Sequence, residues 1–103
     1  MSKFVVDCEV VCEFSGYVAE KFILKAKFDN DKWMAEDSKG LLRVLDEKNI
    51  FKINNGNIKI GDYAYNPVSD CITLINEDDD LIYANETYYK VQNYKENNNE
   101  RSI

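Results

Sequence analysis

The three cysteines are the side chains best suited to nucleophilic or metal chemistry. Cys8 and Cys12 lie four residues apart on a predicted strand, so their side chains share one face at a spacing of about 13 Å, too far for a disulfide. Cys71 begins a later predicted strand. The chain contains no histidine, the commonest general base and metal ligand. We therefore expect unreactive thiols, no metal site and no cofactor.

An acidic run is the densest charge in the chain, and its members are Glu77, Asp78, Asp79 and Asp80. It lacks the glycine and the spaced ligands of a calcium loop. We expect a solvated turn between predicted strands at 71–75 and 81–84. Four carboxylates on such a tip can also pair with Arg and Lys on the basic, nucleic-acid-binding surface of another protein.

Tyrosine is the other unusual residue, because six of the seven tyrosines follow position 62. Strands favour tyrosine, but so many rings and hydroxyls exceed what a core of this size can bury. Half-exposed tyrosines are typical of binding surfaces. We therefore predict a partner-binding surface made of the acidic run together with Tyr63, Tyr65 and Tyr88.

Composition excludes several classes of protein. The net charge is −6 in 103 residues, whereas a protein that binds nucleic acid directly carries a basic footprint. No apolar run is long enough to span a bilayer, and the first residues do not resemble a signal peptide. The chain has no phosphate-binding glycine loop, nucleophile elbow or paired-cysteine motif. We expect a cytoplasmic protein that is not an enzyme.

The clearest structural pattern is alternation over residues 4–14, where every even position is apolar. Period two predicts a strand with one buried face, and residues 18–28 repeat the pattern. The two apolar faces coincide only if partner numbers add up to an even value such as 32, which requires a three-residue loop or a bulge after the first strand. That register predicts two pairs: Asp7 with Lys25, and Phe4 with Phe28.

A third strand at 32–36 follows a two-residue turn, Asn30-Asp31, and completes a meander. The turn predicts two further apolar pairs: Trp33 with Phe28, and Ala35 with Ala26. Residues 37–49 fit a short strand or a short helix. The helix, over 38–48, is favoured because Asp37 and Ser38 can cap it.

The second half returns to strand patterns. Strands at 50–54 and 57–60 flank Asn55-Gly56, which predicts a hairpin with Ile53 opposite Ile58. The remaining predicted strands are 63–65, 71–75, 81–84 and 88–92. Residues 1–92 are thus predicted to form one compact domain, and 93–103 a flexible tail. The predicted fold is mainly β, an antiparallel sandwich or small barrel of about seven short strands, or α+β if the helix forms.

Length, acidity and composition suggest a function class. A short, acidic chain rich in Asn, Lys, Ile and Asp resembles phage-encoded inhibitors of host defence nucleases, among them anti-CRISPR proteins, and immunity proteins that neutralise nuclease toxins. The resemblance lies in composition rather than in a motif. It implies a non-catalytic protein that binds and inhibits another protein with a basic surface.

Two alternatives stay open at this stage. A small β-barrel can bind or sequester a small molecule, such as a nucleotide signal, between aromatic walls. The chain has only two arginines, Arg43 and Arg101, so lysines would have to hold an anionic ligand. The other alternative is a structural subunit of a larger assembly.

Overall fold

The structure, a computed structural model, describes residues 4–55 and 57–94. Within these ranges, eight strands form one antiparallel sheet, joined by one α-helix and a 3-10 helix at Glu47–Asn49. The elements are β1 (Glu9–Ser15), β2 (Val18–Asp29), β3 (Lys32–Asp37), β4 (Leu42–Asp46), β5 (Ile50–Asn55), β6 (Tyr63–Asn66), β7 (Cys71–Leu74), α1 (Asp78–Thr87) and β8 (Tyr89–Val91).

Six of the described strands close into a barrel. They follow the order β1-β5-β8-β6-β7-β2, and β2 pairs back onto β1. Each strand contributes one buried side chain to the interior: Val11, Ile53, Val91, Tyr65, Ile72 and Ala19. Strands β3 and β4 extend the sheet beyond β2. The predicted small, mainly β barrel is therefore confirmed.

The predicted register between β1 and β2 is also confirmed. Partner numbers add up to 32 from Glu9 opposite Ile23 to Glu13 opposite Ala19, and a bulge follows Glu13. Just before β1 begins, the carboxylate of Asp7 lies 3.8 Å from the ammonium of Lys25, its predicted partner. The predicted Phe4–Phe28 pair is wrong, since Phe4 is buried before β1 begins and Phe28 is exposed.

The turn after β2 is as predicted, but the register beyond it differs. Asp29 pairs with Lys32 across the two turn residues, and two bulges in β2 then shift the alignment, so that Trp33 lies opposite Lys27 and Ala35 opposite Leu24. The predicted Trp33–Phe28 and Ala35–Ala26 pairs are therefore wrong. Leu24, which precedes both bulges, joins Trp33 and Ala35 in a second core beside the barrel.

Residues 38–48 do not form the favoured helix. The carboxylate of Asp37 accepts hydrogen bonds from the Lys39 and Leu41 amides, each at 2.9 Å, and Gly40 has a φ of 86°. These contacts close a tight turn, because an Asp side chain can bond backbone amides in a turn as well as at a helix start. The chain then returns along β3 as strand β4.

The predicted hairpin around Asn55-Gly56 does not form. Ile53 pairs with Val91 of β8 rather than with Ile58, and residues 57–60 are not a strand. Ile58 is instead buried beneath α1. Gly56 itself lies outside the described residues.

The predicted strand at 81–84 is part of α1, and the acidic run is the first turn of this helix rather than a hairpin tip. Acidic side chains interact favourably with the positive end of the helix dipole. Leu81, Ala84 and Tyr88, spaced by three and four residues, face the barrel, and Ala84 is fully buried. The buried residues of this segment therefore follow the helical repeat of 3.6 residues rather than the strand repeat of two.

The predicted tail, 93–103, begins too early. Tyr94 is only 6% exposed and packs against the barrel cluster. Its hydroxyl donates a hydrogen bond to the carboxylate of Glu13, and burial is the main reason why its pKa is raised. Residues 95–103 lie outside the described residues.

Tyr94 supplies a test of this correction. Replacing Tyr94 with Ala should lower the free energy of unfolding by about 3–5 kcal/mol, because a large buried ring is lost from a packed core. Replacing the exposed Tyr83 with Ala should cost about 1 kcal/mol or less. Urea unfolding of both variants measures the difference, and equal effects would contradict the assignment of Tyr94 to the core.

Candidate partner-binding surface

The outer face of α1 combines apolar and acidic side chains. Residues three and four apart share a helix face, so Ile82 and Tyr83 lie between Asp79 and Glu86 on the side away from the barrel. Ile82 is 66% exposed and Tyr83 is 55% exposed. Large apolar side chains rimmed by charge are typical of a protein interaction site.

Asn85 fixes α1 to the barrel. Its side-chain oxygen accepts a hydrogen bond from the Ile58 amide at 2.9 Å, and its amide nitrogen donates to the Ile58 carbonyl at 3.0 Å. This amide side chain therefore satisfies both backbone groups of a buried residue that has no strand partner. Ile58, Ala64 and Ile75 form the apolar floor beneath the helix. Hydrogen bonds and apolar packing thus hold α1 with its outer face toward solvent.

Tyr88 extends this surface beyond the end of α1. Its ring packs edge to face against Tyr83, with ring centres 5.5 Å apart, and its hydroxyl accepts a hydrogen bond from the Asn66 side chain at 3.1 Å. Burial, followed by the nearby Tyr83 and Asp80, raises the pKa of Tyr88. The phenol therefore stays neutral and acts as a fixed hydrogen-bonding group.

The structure divides the predicted partner-binding residues among three places. Glu77, Asp78, Asp79 and Asp80 are all exposed at the start of α1, with Tyr88 at its other end. Tyr63 lies on the opposite face of β6 from Ala64, which packs under α1. Tyr65 is 2% exposed inside the barrel, and its hydroxyl donates a hydrogen bond to Asp70.

Ile82 and Tyr83 were not among the predicted partner-binding residues, because residues 81–84 were predicted to be a strand. The available signal was the spacing of Leu81, Ala84 and Tyr88, which fits one helix face. An acidic first turn is a second indication of a helix start. We define the helix surface by seven residues: Glu77, Asp78, Asp79, Asp80, Ile82, Tyr83 and Tyr88.

Tyr63 belongs to an aromatic cluster at one end of the barrel. Its ring stacks on Tyr17 at 6.5 Å and meets Tyr94 edge to face at 4.9 Å. Beside the cluster is an open cleft of about 460 Å³, lined by residues that include Tyr63, Tyr94 and Gln92. In this cleft the Lys90 ammonium lies 3.5 Å from a carboxylate oxygen of Asp62.

Charge is distributed unevenly along the chain. Residues 57–94, which include the helix surface, contain seven acidic and two basic residues, whereas residues 4–55 contain ten acidic and eight basic ones. The excess negative charge of the described residues is therefore concentrated in the half that carries α1. A positively charged molecule would be attracted to that half.

Comparison with known proteins identifies no relative. The chain matches no protein-family model, no curated protein and no solved structure. No helix within the described residues is long and apolar enough to cross a membrane. Among the same residues, no group of three or more Cys, Asp or Glu side chains is arranged to hold a metal ion.

The three cysteines are free thiols in different surroundings. Cys12 is buried in the second core, whereas Cys8 and Cys71 are half-buried. Burial, with a smaller contribution from Asp46, raises the pKa of Cys12 from 9.0 to about 11. Because the thiolate is the reactive form, Cys12 combines poor access with a low thiolate population.

Thiol labelling tests this arrangement. At pH 8 iodoacetamide should modify Cys71 and Cys8 of the native protein much faster than Cys12. After unfolding in urea, all three thiols should react at similar rates. Peptide mass spectrometry after timed exposure to iodoacetamide gives the rate at each position. Rapid modification of Cys12 in the native state would contradict its burial.

Proposed function

We propose that this protein is a non-catalytic binder that inhibits another protein through the helix surface. The observation that supports the proposal best is the pair Ile82 and Tyr83, exposed on a helix face that acidic residues flank. Exposed apolar side chains gain free energy when a partner covers them, and surrounding carboxylates select a partner of opposite charge.

The partner we propose carries a basic, nucleic-acid-binding surface. The carboxylates of Asp78, Asp79 and Asp80 would pair with Arg and Lys that otherwise contact phosphates. Ile82 and Tyr83 would fill an apolar depression next to that basic surface, as aromatic and aliphatic anchors do in other interfaces. A nuclease inhibited in this way would lose access to its substrate, as for an anti-CRISPR-like or toxin-immunity-like inhibitor.

The extent of α1 limits how much of an interface it supplies. Ten residues span about 15 Å, less than the width of a standard interface that buries about 800 Å² on each partner. Tyr88 and the exposed Val68, which follows Asn66 in the loop after β6, lie where they can extend the contact. The proposed site therefore comprises the helix and this loop.

Truncating the two apolar anchors is the first test. The double variant Ile82→Ala/Tyr83→Ala should bind the partner roughly thirtyfold more weakly or worse, as expected when central anchor residues are lost. The matched control is Val5→Ala/Val6→Ala, which removes equally exposed apolar side chains near the N-terminus. Affinity capture from nuclease-treated host lysate, followed by mass spectrometry, compares all three proteins.

The proposal requires one basic protein that wild type and control retain and the anchor variant loses. Retention by all three proteins would contradict a role for the helix surface. Capture of no protein by well-folded wild-type bait would contradict the binding function itself.

Charge at the start of α1 gives a second, kinetic test. The variant Asp79→Asn/Asp80→Asn should associate with the captured partner several-fold more slowly at low salt and show a weaker salt dependence, because long-range attraction is reduced. The control Asp29→Asn/Asp31→Asn has the same net charge but changes the exposed turn after β2. Surface plasmon resonance at several salt concentrations measures the association rate of each variant. If both variants associate equally slowly, local attraction at α1 is contradicted.

The open cleft favours a second function, capture of a small molecule. Its volume of about 460 Å³ lies in the range of ligand sites, and Tyr63 and Tyr94 supply aromatic surface. Lys90 would be the cation for an anionic nucleotide, although Asp62 already pairs with it. A thermal-shift screen tests this proposal: a nucleotide that raises the melting temperature in wild type but not in Lys90→Ala supports it.

A further inference from the structure

Strand β4 is an open edge of the sheet. Among the described strands it pairs only with β3, at the end of the strand order. An edge strand presents unpaired backbone N–H and C=O groups, which can pair with an extended segment of another chain. The β4 edge therefore has the geometry for adding one more strand.

One face of this edge carries two exposed apolar side chains. Leu42 is 59% exposed and Val44 is 58% exposed, on the face of the sheet opposite to the buried Leu45. Met34, which lies opposite Val44 on β3, is half-buried and extends the apolar surface inward. Natural edge strands usually carry charged residues to prevent association. The two charged residues of β4, Arg43 and Asp46, lie within ion-pair distance of Asp37 and Lys32 on β3.

The same part of the sheet is electrically balanced. Lys25 lies 3.7 Å from Glu36 and 3.8 Å from Asp7, and Arg43 lies 3.8 Å from Asp37. Lys32 pairs with Asp46 across β3 and β4. Most of the acidic excess lies in residues 57–94, so two copies can bring their β4 edges together with little like-charge repulsion at the contact.

We propose that β4 pairs antiparallel with β4 of a second copy of this chain. The register that overlaps all five residues places Val44 against the same residue of the partner copy, across a twofold axis. It also sets Leu42 opposite Asp46 and Arg43 opposite Leu45, so no two like charges face each other. The register centred one residue earlier would place two Arg43 side chains in direct opposition.

This pairing creates a continuous apolar stripe across the twofold axis. Leu42 and Val44 of one copy lie beside Val44 and Leu42 of the other, since diagonal neighbours on one face of a sheet are within reach. The carboxylate of Asp46 is already directed toward Lys32 and does not oppose the stripe. The contact is isologous, as expected for a twofold dimer.

The dimer does not depend on the proposed function. In the strand order, β6, on which α1 packs, is separated from β4 by β7, β2 and β3. Pairing at β4 therefore leaves the helix surface of both copies accessible. Loss of dimerisation and loss of partner binding are separable outcomes, because they arise from different substitutions.

Sedimentation velocity of the full chain over a range of concentrations is the first experiment. Wild type should shift from monomer to dimer as concentration rises. Val44→Lys should weaken dimerisation at least about tenfold, because it places two ammonium groups face to face at the axis. The control Ile82→Lys changes an equally exposed apolar residue of α1 and should dimerise as wild type does.

A crosslinking experiment tests the register. Residues directly opposite each other on antiparallel strands have Cα atoms about 4.5–5.5 Å apart, within the range that a disulfide bridges. Val44→Cys should therefore give a covalent dimer under mild oxidation, whereas Ile82→Cys and wild type, with its three native thiols, should not. Circular dichroism and thermal melts confirm that each variant is folded.

Three results would overturn the proposal. A wild-type chain that stays monomeric at every concentration contradicts self-association. A dimer that survives Val44→Lys unchanged contradicts the β4 edge as its interface. A wild-type dimer without crosslinking of Val44→Cys contradicts the pairing centred on Val44.

Discussion

The barrel depends on a narrow seam between β2 and β7. These strands share one residue pair, Val18 with Cys71, and two backbone hydrogen bonds support it: the Ala19 amide to the Asp70 carbonyl at 3.0 Å and the Ile72 amide to the Tyr17 carbonyl at 2.8 Å. Asp70 also accepts a hydrogen bond from Tyr65 inside the barrel. The interior side chains of the barrel are all buried, and this seam closes the barrel around them.

Strand β2 makes closure possible by serving two cores. Its first residues pair with β1 and β7 and contribute Ala19 to the barrel interior, while Phe22 and Leu24 enter the second core. Alternation alone places Ala19 on one face of the strand and Phe22 and Leu24 on the other, so one strand can contribute to both cores. The two bulges lie beyond Leu24, in the part of β2 that continues along β3.

Local patterns in the sequence predicted more of the fold than of the site. The alternation of apolar residues predicted β1, β2 and β3 and the register between β1 and β2, because the burial of one face of a strand determines its pairing. It failed where partners are distant in the chain: Ile53 pairs with Val91, which no turn signal at Asn55 can indicate. The acidic run was found, but Ile82 and Tyr83 were assigned to a strand, because charge alone does not distinguish a turn from the first turn of a helix. Tyr65 shows that a tyrosine whose hydroxyl has an internal partner can be buried.

The position of β8 has a consequence for the order of folding during synthesis. This strand, the last among the described residues, lies between β5 and β6, so the barrel cannot close until the ribosome has released the chain through Val91. The antiparallel neighbours β1 to β4 need only local contacts and can pair earlier, whereas closure requires contacts between distant residues and is slow. A nascent chain can therefore form the β1–β4 part of the sheet, with its open β4 edge, while the barrel interior is still exposed to water.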